Sequence, residues 1–227
     1  MKVSVIIPTI NEEEGISKLL DFIHRQGGKH LHEVLVCDGG STDKTVELAL
    51  ASGAKVIPCK KGRALQMNLG AKEATGDVLY FLHADSWPPE SFSDLIVDSM
   101  TRGNISGCFR MRFASRHLIL RFSAWLTRFN NRLCRGGDQS LYVNRNVFNE
   151  IGGYDESLII FEDNEILHRI WKKGKFDVIQ KDIVTSARRF ELNGTTRLYF
   201  IFMWMHVKYR LGVSHDRLLA YYKRKVK

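Results

Sequence analysis

Asp77-Val78-Leu79-Tyr80-Phe81-Leu82-His83-Ala84-Asp85 is the stretch whose reading decides the fold. Val78 to Leu82 is an unbroken run of five apolar or aromatic residues. A strand with one wet face would alternate. This run therefore predicts a strand buried on both faces, as in a parallel sheet with helices on each side. Open α/β sheets take ligands beyond the carbonyl ends of such strands. Asp85 stands just past that end, with His83 before it and Trp87-Pro88-Pro89 stopping the chain behind it. Taken alone, Asp85 either serves a ligand or caps a turn, because Asp is frequent in turns.

Upstream, the same design repeats. Lys2 to Ile7, Glu33 to Cys37 and Ala54 to Pro58 read as strands. Between them, Ile16, Leu19, Leu20 and Ile23 recur at helical spacing, and a second helix is expected through Val46, Leu48, Ala49 and Leu50. Asn11 or Glu12 is expected to open the first helix, Ser41 or Thr42 to cap the second, and Gly62-Arg63 to open a third. Strand alternating with helix in this way predicts βαβ units and a parallel sheet.

Downstream of Asp85 the pattern changes. A helix is expected over 89–100, a half-exposed strand over 107–113 and an aromatic, basic helix over 117–133. Short strands are expected at 140–143, 176–179 and 183–186, helices over 161–173, 195–212 and 215–224, and a turn-rich stretch over 148–156. No internal repeat or clean linker divides the chain, so the two halves should share one core.

At 227 residues and 44% hydrophobic content, the chain is long enough for one large domain with a sizeable core. Its net charge of +9 predicts an acidic partner such as nucleotide phosphate, nucleic acid or an anionic membrane. Cys37, Cys59, Cys108 and Cys134 form no Cys-x-x-Cys pair, so zinc or thioredoxin chemistry is unsupported. Met1-Lys2 leads straight into a strand, so no leader is expected and a reducing cytosolic setting follows. No run reaches the ~18 apolar residues of a membrane span. Neither Gly-x-Gly-x-x-Gly nor a Walker lysine loop is present, which disfavours the usual dinucleotide and P-loop folds.

The strand ends carry the chemistry. Pro8-Thr9-Ile10-Asn11-Glu12, Asp38-Gly39-Gly40-Ser41-Thr42-Asp43 and His83-Ala84-Asp85 should converge along one sheet edge. Their glycines let backbone amides approach a phosphate, and helix N-termini favour anions. With Glu162-Asp163 further on, these motifs resemble the family 2 glycosyltransferases of GT-A fold, in order and spacing, over residues 2–190. Gly62-Arg63-x-x-Gln66-x-Asn68-x-Gly70 and Ser186-Ala187-Arg188-Arg189 resemble a narrower bacterial subgroup often labelled arsenosugar-biosynthesis glycosyltransferases.

The resemblance implies a GT-A mixed, mostly parallel sheet flanked by helices. It implies a nucleotide-binding half over 1–100, an acceptor half over 101–190 and a C-terminal helical extension over 191–227. It implies transfer of a sugar from a nucleotide-sugar donor, by resemblance a UDP-sugar, to a hydroxyl acceptor. Pro8, Thr9, Asn11, Glu12, Asp38, Gly39, Arg63, Gln66, His83, Ala84 and Asp85 would bind that donor. Asp38 suits the role because a carboxylate can accept a ring N–H of uracil; otherwise it starts an Asx turn. Arg63 opposes the helix dipole at its helix start, which pairing with a diphosphate would explain; otherwise it is a solvated surface arginine.

Asp85 matches the last acid of the family's Asp-x-Asp element and would ligate Mg or Mn, while His83 stands where the first acid often stands. Asp163 would be the base that takes the acceptor's proton, with helix capping as its bland role. Asp138 is the rival base, and Asp138, Gln139 and Glu162 would bind the acceptor. Arg188-Arg189 either clamps the departing diphosphate or forms a solvated basic edge. His168 and His206 read as packed or surface histidines. The apolar run 198–205 with the cations after it packs on the sheet or a dimer partner, or meets a membrane surface carrying a lipid-linked acceptor. The setting would be cytoplasmic, or the inner face of a membrane, with no nucleic-acid partner. The rivals are a sugar-nucleotide nucleotidyltransferase, which needs a Gly-rich basic loop after the first strand, and a basic nucleic-acid or membrane-binding module without catalysis.

Overall fold

The computed structural model describes residues 1–131, 134–135 and 139–226. In chain order its elements are β1 (Val3–Thr9), α1 (Ile16–Gln26), β2 (Leu31–Asp38), α2 (Thr45–Ala51), β3 (Lys55–Pro58), α3 (Arg63–Glu73) and β4 (Val78–Phe81). There follow β5 (Ser86–Trp87), α4 (Phe92–Thr101), β6 (Ser106–Phe113), α5 (Leu118–Leu126), β7 (Leu141–Asn144) and α6 (Arg145–Glu150). The last are α7 (Glu162–Ile170), β8 (Phe176–Thr185), α8 (Arg188–Asn193), α9 (Thr195–Arg210) and α10 (His215–Lys225).

One eight-stranded sheet runs in the order β3-β2-β1-β4-β7-β6-β8-β5. β3, β2, β1 and β4 are mutually parallel. β7 runs antiparallel to β4 and β6, and β8 returns parallel to β6. The ends of β1, β2, β4 and β8 therefore point to one edge.

The expected two-sided burial of Val78 to Leu82 holds. Val78, Tyr80 and Leu82 join Val3, Val5, Ile7, Val34 and Val36 in a core layer closed by Ile16, Leu20 and Ile23 of α1 and Phe92 and Ile96 of α4. Leu79 and Phe81 join Ile6, Leu35 and Cys37 on the other face, under Ala64, Met67 and Ala71 of α3 and Ile166 and Ile170 of α7. Side chains alternate between faces, and both faces are dry, so no polar residue breaks the run. Gly70 lets α3 lie close: a Cβ there would stand 2.5 Å from Ile6 Cγ2 and 2.7 Å from Cys37 Sγ.

Several boundaries differ from expectation, each for a local reason. α1 starts at Ile16 because Asn11 adopts φ 52° and its side-chain oxygen accepts from Thr42 N at 2.8 Å. α2 starts at Thr45 because Ser41 is bonded to Asp38 and Asn11, leaving Asp43 to accept from Thr45 N. The left-handed Ser91 delays α4 to Phe92. The helix expected over 117–133 ends at Leu126, where the Thr127 hydroxyl donates to Ala124 O and accepts from Met111 N, tying the end to β6. The two strands expected at 176–179 and 183–186 are one, with a register shift between Ile179 and Asp182. The turn-rich stretch begins with the end of α6.

Glu33 on β2 ties its strand to β1 and to the loop that leads into β4. Its Oε1 accepts from Ser4 Oγ at 2.6 Å, and from Thr75 N and Oγ1 at 2.7 Å. Burial alone would raise this carboxyl. The three hydrogen bonds outweigh it and hold the group below its ordinary 4.5. The ionised form thus stabilises the fold at neutral pH, and that contribution disappears as pH falls through the lowered value. Urea denaturation should find Glu33→Gln about 1 kcal/mol less stable than wild type at neutral pH. The gap should close in acid; a gap that persists there would mean the charge contributes nothing.

Candidate active site

The loops after β1 and β2 brace one another. Thr9 stands opposite Asp38 in the parallel register, and Gly39 N donates to Thr9 O at 2.9 Å. Asn11 N donates to Ser41 Oγ, Glu12 N to Thr45 Oγ1 and Lys44 N to Glu13 Oε2. Asp38 is buried, and its Oδ2 accepts from Gly40 N and Ser41 N at 2.9 Å while the Ser41 hydroxyl donates to Oδ1. That is the Asx-turn geometry, and it leaves a carboxylate with about four acceptor positions room for one further donor.

α3 carries its motif residues in three directions. The Gln66 carboxamide is buried and donates to Thr9 O and Cys37 O, both at 2.8 Å, so it clamps the two strand ends to the helix. Asn68 donates to Tyr154 O at 2.9 Å and accepts from Tyr154 N at 2.8 Å, anchoring the turn that precedes α7. Arg63 opens the helix and reaches across to α7. Its guanidinium lies 3.6 Å from Glu162 Oε1 and 3.5 Å from Asp163 Oδ2, and donates to His83 Nδ1 at 2.9 Å. The expected diphosphate partner of Arg63 is thus matched here by two carboxylates and an imidazole.

An open cleft of about 440 Å³ runs along the sheet edge. Pro8, Thr9, Glu12, Arg63, Gln66, His83, Ala84 and Asp85 all line it. Asn11, Asp38 and Gly39 are absent from its wall and form the braced loops beside it. The far wall comes from the end of β8: Ser186 N donates to Asp85 O at 3.2 Å, and Arg188 and Arg189 follow. Arg188 lies 3.8 Å from Glu12. Burial raises the Glu12 carboxyl above its ordinary value; Arg188 opposes this, and Asp85 and Asp43 add to it.

A second cavity of about 310 Å³ adjoins the first, sharing Arg63, Arg189 and Phe202 with it. Glu162, Asp163 and Asn164 form its floor, at the start of α7. Asp163 does not cap that helix: the N-cap is Phe161, in left-handed conformation at φ 64°, with no side-chain cap bond. Three acids in the first turn complement the helix dipole instead. Gln139 is buried and off this cavity. Its Oε1 accepts from Arg135 at 2.8 Å, and it meets Asp163 only across a void of about 10 Å³, too small for an acceptor. Asp138 lies outside the described residues.

Sequence reading missed the contribution of α9. Phe202, Met205 and His206 complete the second cavity. Phe161 stacks on Tyr209 at 4.5 Å and meets His206 edge-on at 5.1 Å, so α9 props the residue from which α7 starts. Burial, and then the Arg210 charge, hold the His206 imidazole below its ordinary value, hence neutral at pH 7. The apolar run 198–205 suggested packing on the sheet among its readings, and nothing local tied it to Phe161. Among the described residues no group of three or more His, Cys, Asp and Glu stands together as a metal cage. The exposed Asp85 carboxylate at the cleft suits a cation that takes its other ligands from a diphosphate and water.

Residues 4–157 match the family model described as Glycosyl transferase family 2. The glucosyl-3-phosphoglycerate synthase of Mycolicibacterium smegmatis is 35% identical over 99 residues, which are 39% of this chain and 32% of that protein. The match thus spans about a third of that relative's length. S. aureus TarS 1–349 in complex with UDP-GlcNAc superposes with TM-score 0.67 at 23% identity, covering 82% of this chain and 58% of that one. The glucosyl-3-phosphoglycerate synthase from Mycobacterium tuberculosis in complex with Mn2+, UDP and glucosyl-3-phosphoglycerate superposes with TM-score 0.60 at 20% identity, covering 81% of this chain and 70% of that one. The fold is the GT-A fold of these structures.

The Gln66 clamp is directly testable. Gln66→Leu removes one donor from each of two carbonyls, which keep Gly39 N and the Thr9 hydroxyl as their other donors, and should lower unfolding stability by about 1 kcal/mol in urea titration. An unchanged midpoint would show that Gln66 does not hold the strand ends.

Proposed function

The chain belongs to glycosyl transferase family 2, and we propose that it moves a sugar from a UDP-sugar to a hydroxyl acceptor with inversion at the anomeric carbon. The observation that carries this reading is the junction between the two cavities. Arg63 lines both and pairs with Asp163, so a donor in the cleft and an acceptor beside α7 would meet at that carboxylate. Residues 1–190 serve as the transferase domain, with 1–100 holding the nucleotide and 101–190 the acceptor; 191–227 is an extension that closes the acceptor side.

In this mechanism Asp163 takes the proton of the acceptor hydroxyl. The acceptor oxygen then forms its bond to the anomeric carbon as the carbon–oxygen bond to the diphosphate breaks. UDP leaves with that electron pair, and the proton stays on Asp163. Arg63 orients the carboxylate, and Glu162 shares its guanidinium. Arg188 and Arg189 face the charge that develops on the leaving diphosphate. Pro8, Thr9 and Glu12 line the nucleoside end, with the spare acceptor position of Asp38 in the braced loop beside them, and His83 and Ala84 line the sugar–diphosphate end.

A divalent cation, Mg or Mn, fits the donor set: Asp85 would hold it together with the diphosphate oxygens, whose charge it would offset. The subgroup label of arsenosugar biosynthesis remains a resemblance and assigns no acceptor. The nucleotidyltransferase reading loses support because the β1 loop is neither Gly-rich nor basic.

Calorimetric titration with UDP and GDP, with and without Mn²⁺, tests the donor. UDP should bind with Kd in the range of about 10–100 µM, tighter than GDP. Binding of neither nucleotide at about 1 mM would sink the transferase reading. Asp163→Asn should lower turnover by about a hundredfold or more while leaving UDP affinity unchanged. Full turnover in that variant would remove Asp163 as the base.

A further inference from the structure

α5 and α9 lie side by side and each shows an apolar stripe to solvent. On α5 and the turn after it, Leu118, Phe122, Trp125 and Phe129 recur on one helical face, from 75% exposed at Leu118 to 45% at Trp125. On α9 and its C-cap, Phe200, Met203, Trp204, Val207 and Leu211 do the same. A slot of about 180 Å³ lies between the helices, walled by Ser123 and Leu126 of α5 and by Tyr199, Phe202 and Met203 of α9, so Met203 of one stripe reaches it directly. Solitary exposed apolar residues are ordinary; two contiguous aromatic stripes are not.

Cations rim these stripes. Arg128 lies over the Trp125 ring at 5.1 Å and Lys208 over the Trp204 ring at 5.3 Å. Trp204 also meets Tyr221 of α10, which carries Arg224 at 5.7 Å. No Asp or Glu occurs between Arg116 and Asn131 or between Leu192 and His215. Among the described residues no helix is long and apolar enough to cross a membrane. Helices with Trp and Phe on one side, Lys and Arg beside them and no acid fit the plane of a lipid–water interface.

We propose that the α5–α9 face docks on the surface of an anionic bilayer. A second copy of the chain is the poorer occupant, because a two-fold contact would set one acid-free cationic face against another. Docking does not depend on the transferase reading. On that reading it has a consequence: the slot shares Phe202 and His206 with the cavity beside Asp163. The acceptor side of the site would then open toward lipid, matching an acceptor with an apolar tail.

Vesicle flotation of the full chain tests the proposal. The probes are vesicles of phosphatidylcholine alone and vesicles with about 30% phosphatidylglycerol, at about 0.1 M and 0.5 M salt. Binding should be about tenfold stronger on the anionic vesicles and should weaken with salt. Phe122→Asp with Trp125→Asp, and separately Arg121→Glu with Arg128→Glu, should each reduce it about tenfold or more, with circular dichroism and UDP affinity unchanged. No vesicle binding, equal binding to both lipids, or undiminished binding by the folded variants would overturn docking. A concentration-dependent dimer in sedimentation velocity, dissociated by the same substitutions, would overturn it in favour of a second copy. Vesicle binding by a chain that binds no nucleotide would support docking and overturn the transferase reading alone.

Discussion

The Gln66 carboxamide is the bond on which the ligand edge depends. Parallel strands leave their terminal carbonyls and the following loops without a hairpin to close them. Here a single side chain from α3 satisfies the last carbonyl of β1 and the penultimate one of β2 at once. The loops beyond bond to each other as well as to their own helices, through Asn11, Ser41, Glu13 and Thr45. Buried polar groups must be paired, so the pairing that fixes these loops is also what shapes the cleft wall. Gly70, one turn further along α3, permits the close approach that brings Gln66 within reach.

Arg63 supplies the second constraint, an electrostatic one. Its position at the start of α3 opposes the helix dipole, and Glu162 and Asp163 at the start of α7 favour theirs. Crossing the gap pairs the unfavourable charge with the favourable ones. Glu162 is buried, and leaving it without that guanidinium would strand a charge in low dielectric. The ion pairs therefore lock two helices from different halves of the chain around the point where the two cavities meet.

The C-terminal helices extend this arrangement outward. Leu198 enters the main core and Phe202 packs against it, so α9 is anchored to the sheet layer. From that anchor, Tyr209 and His206 hold Phe161 in its left-handed conformation, which sets the first turn of α7. One face of α9 thus supports the acid pair while the opposite face carries the exposed aromatic stripe. A helix apolar on both faces has a small net amphipathic signal, and its two roles become separable only once its neighbours are known.

Much was legible in the residues alone. The unbroken run Val78 to Leu82 determined a two-sided strand, because only dry faces tolerate it. The polar clusters after β1, β2 and β4 determined the ligand edge, because parallel strands end together. Helix starts were misplaced where Asn11, Ser41 and Ser91 have local roles that depend on a distant partner or a left-handed backbone. The division of labour within the site was not legible either. Gln66 is bonded to backbone, Arg63 faces Asp163, and α9 completes the second cavity. Periodicity and local propensity are properties of neighbouring residues, and they determine elements and edges. Which carbonyl a buried carboxamide meets, or which acid a guanidinium reaches, depends on segments tens of residues apart, and only the packed tertiary structure decides it.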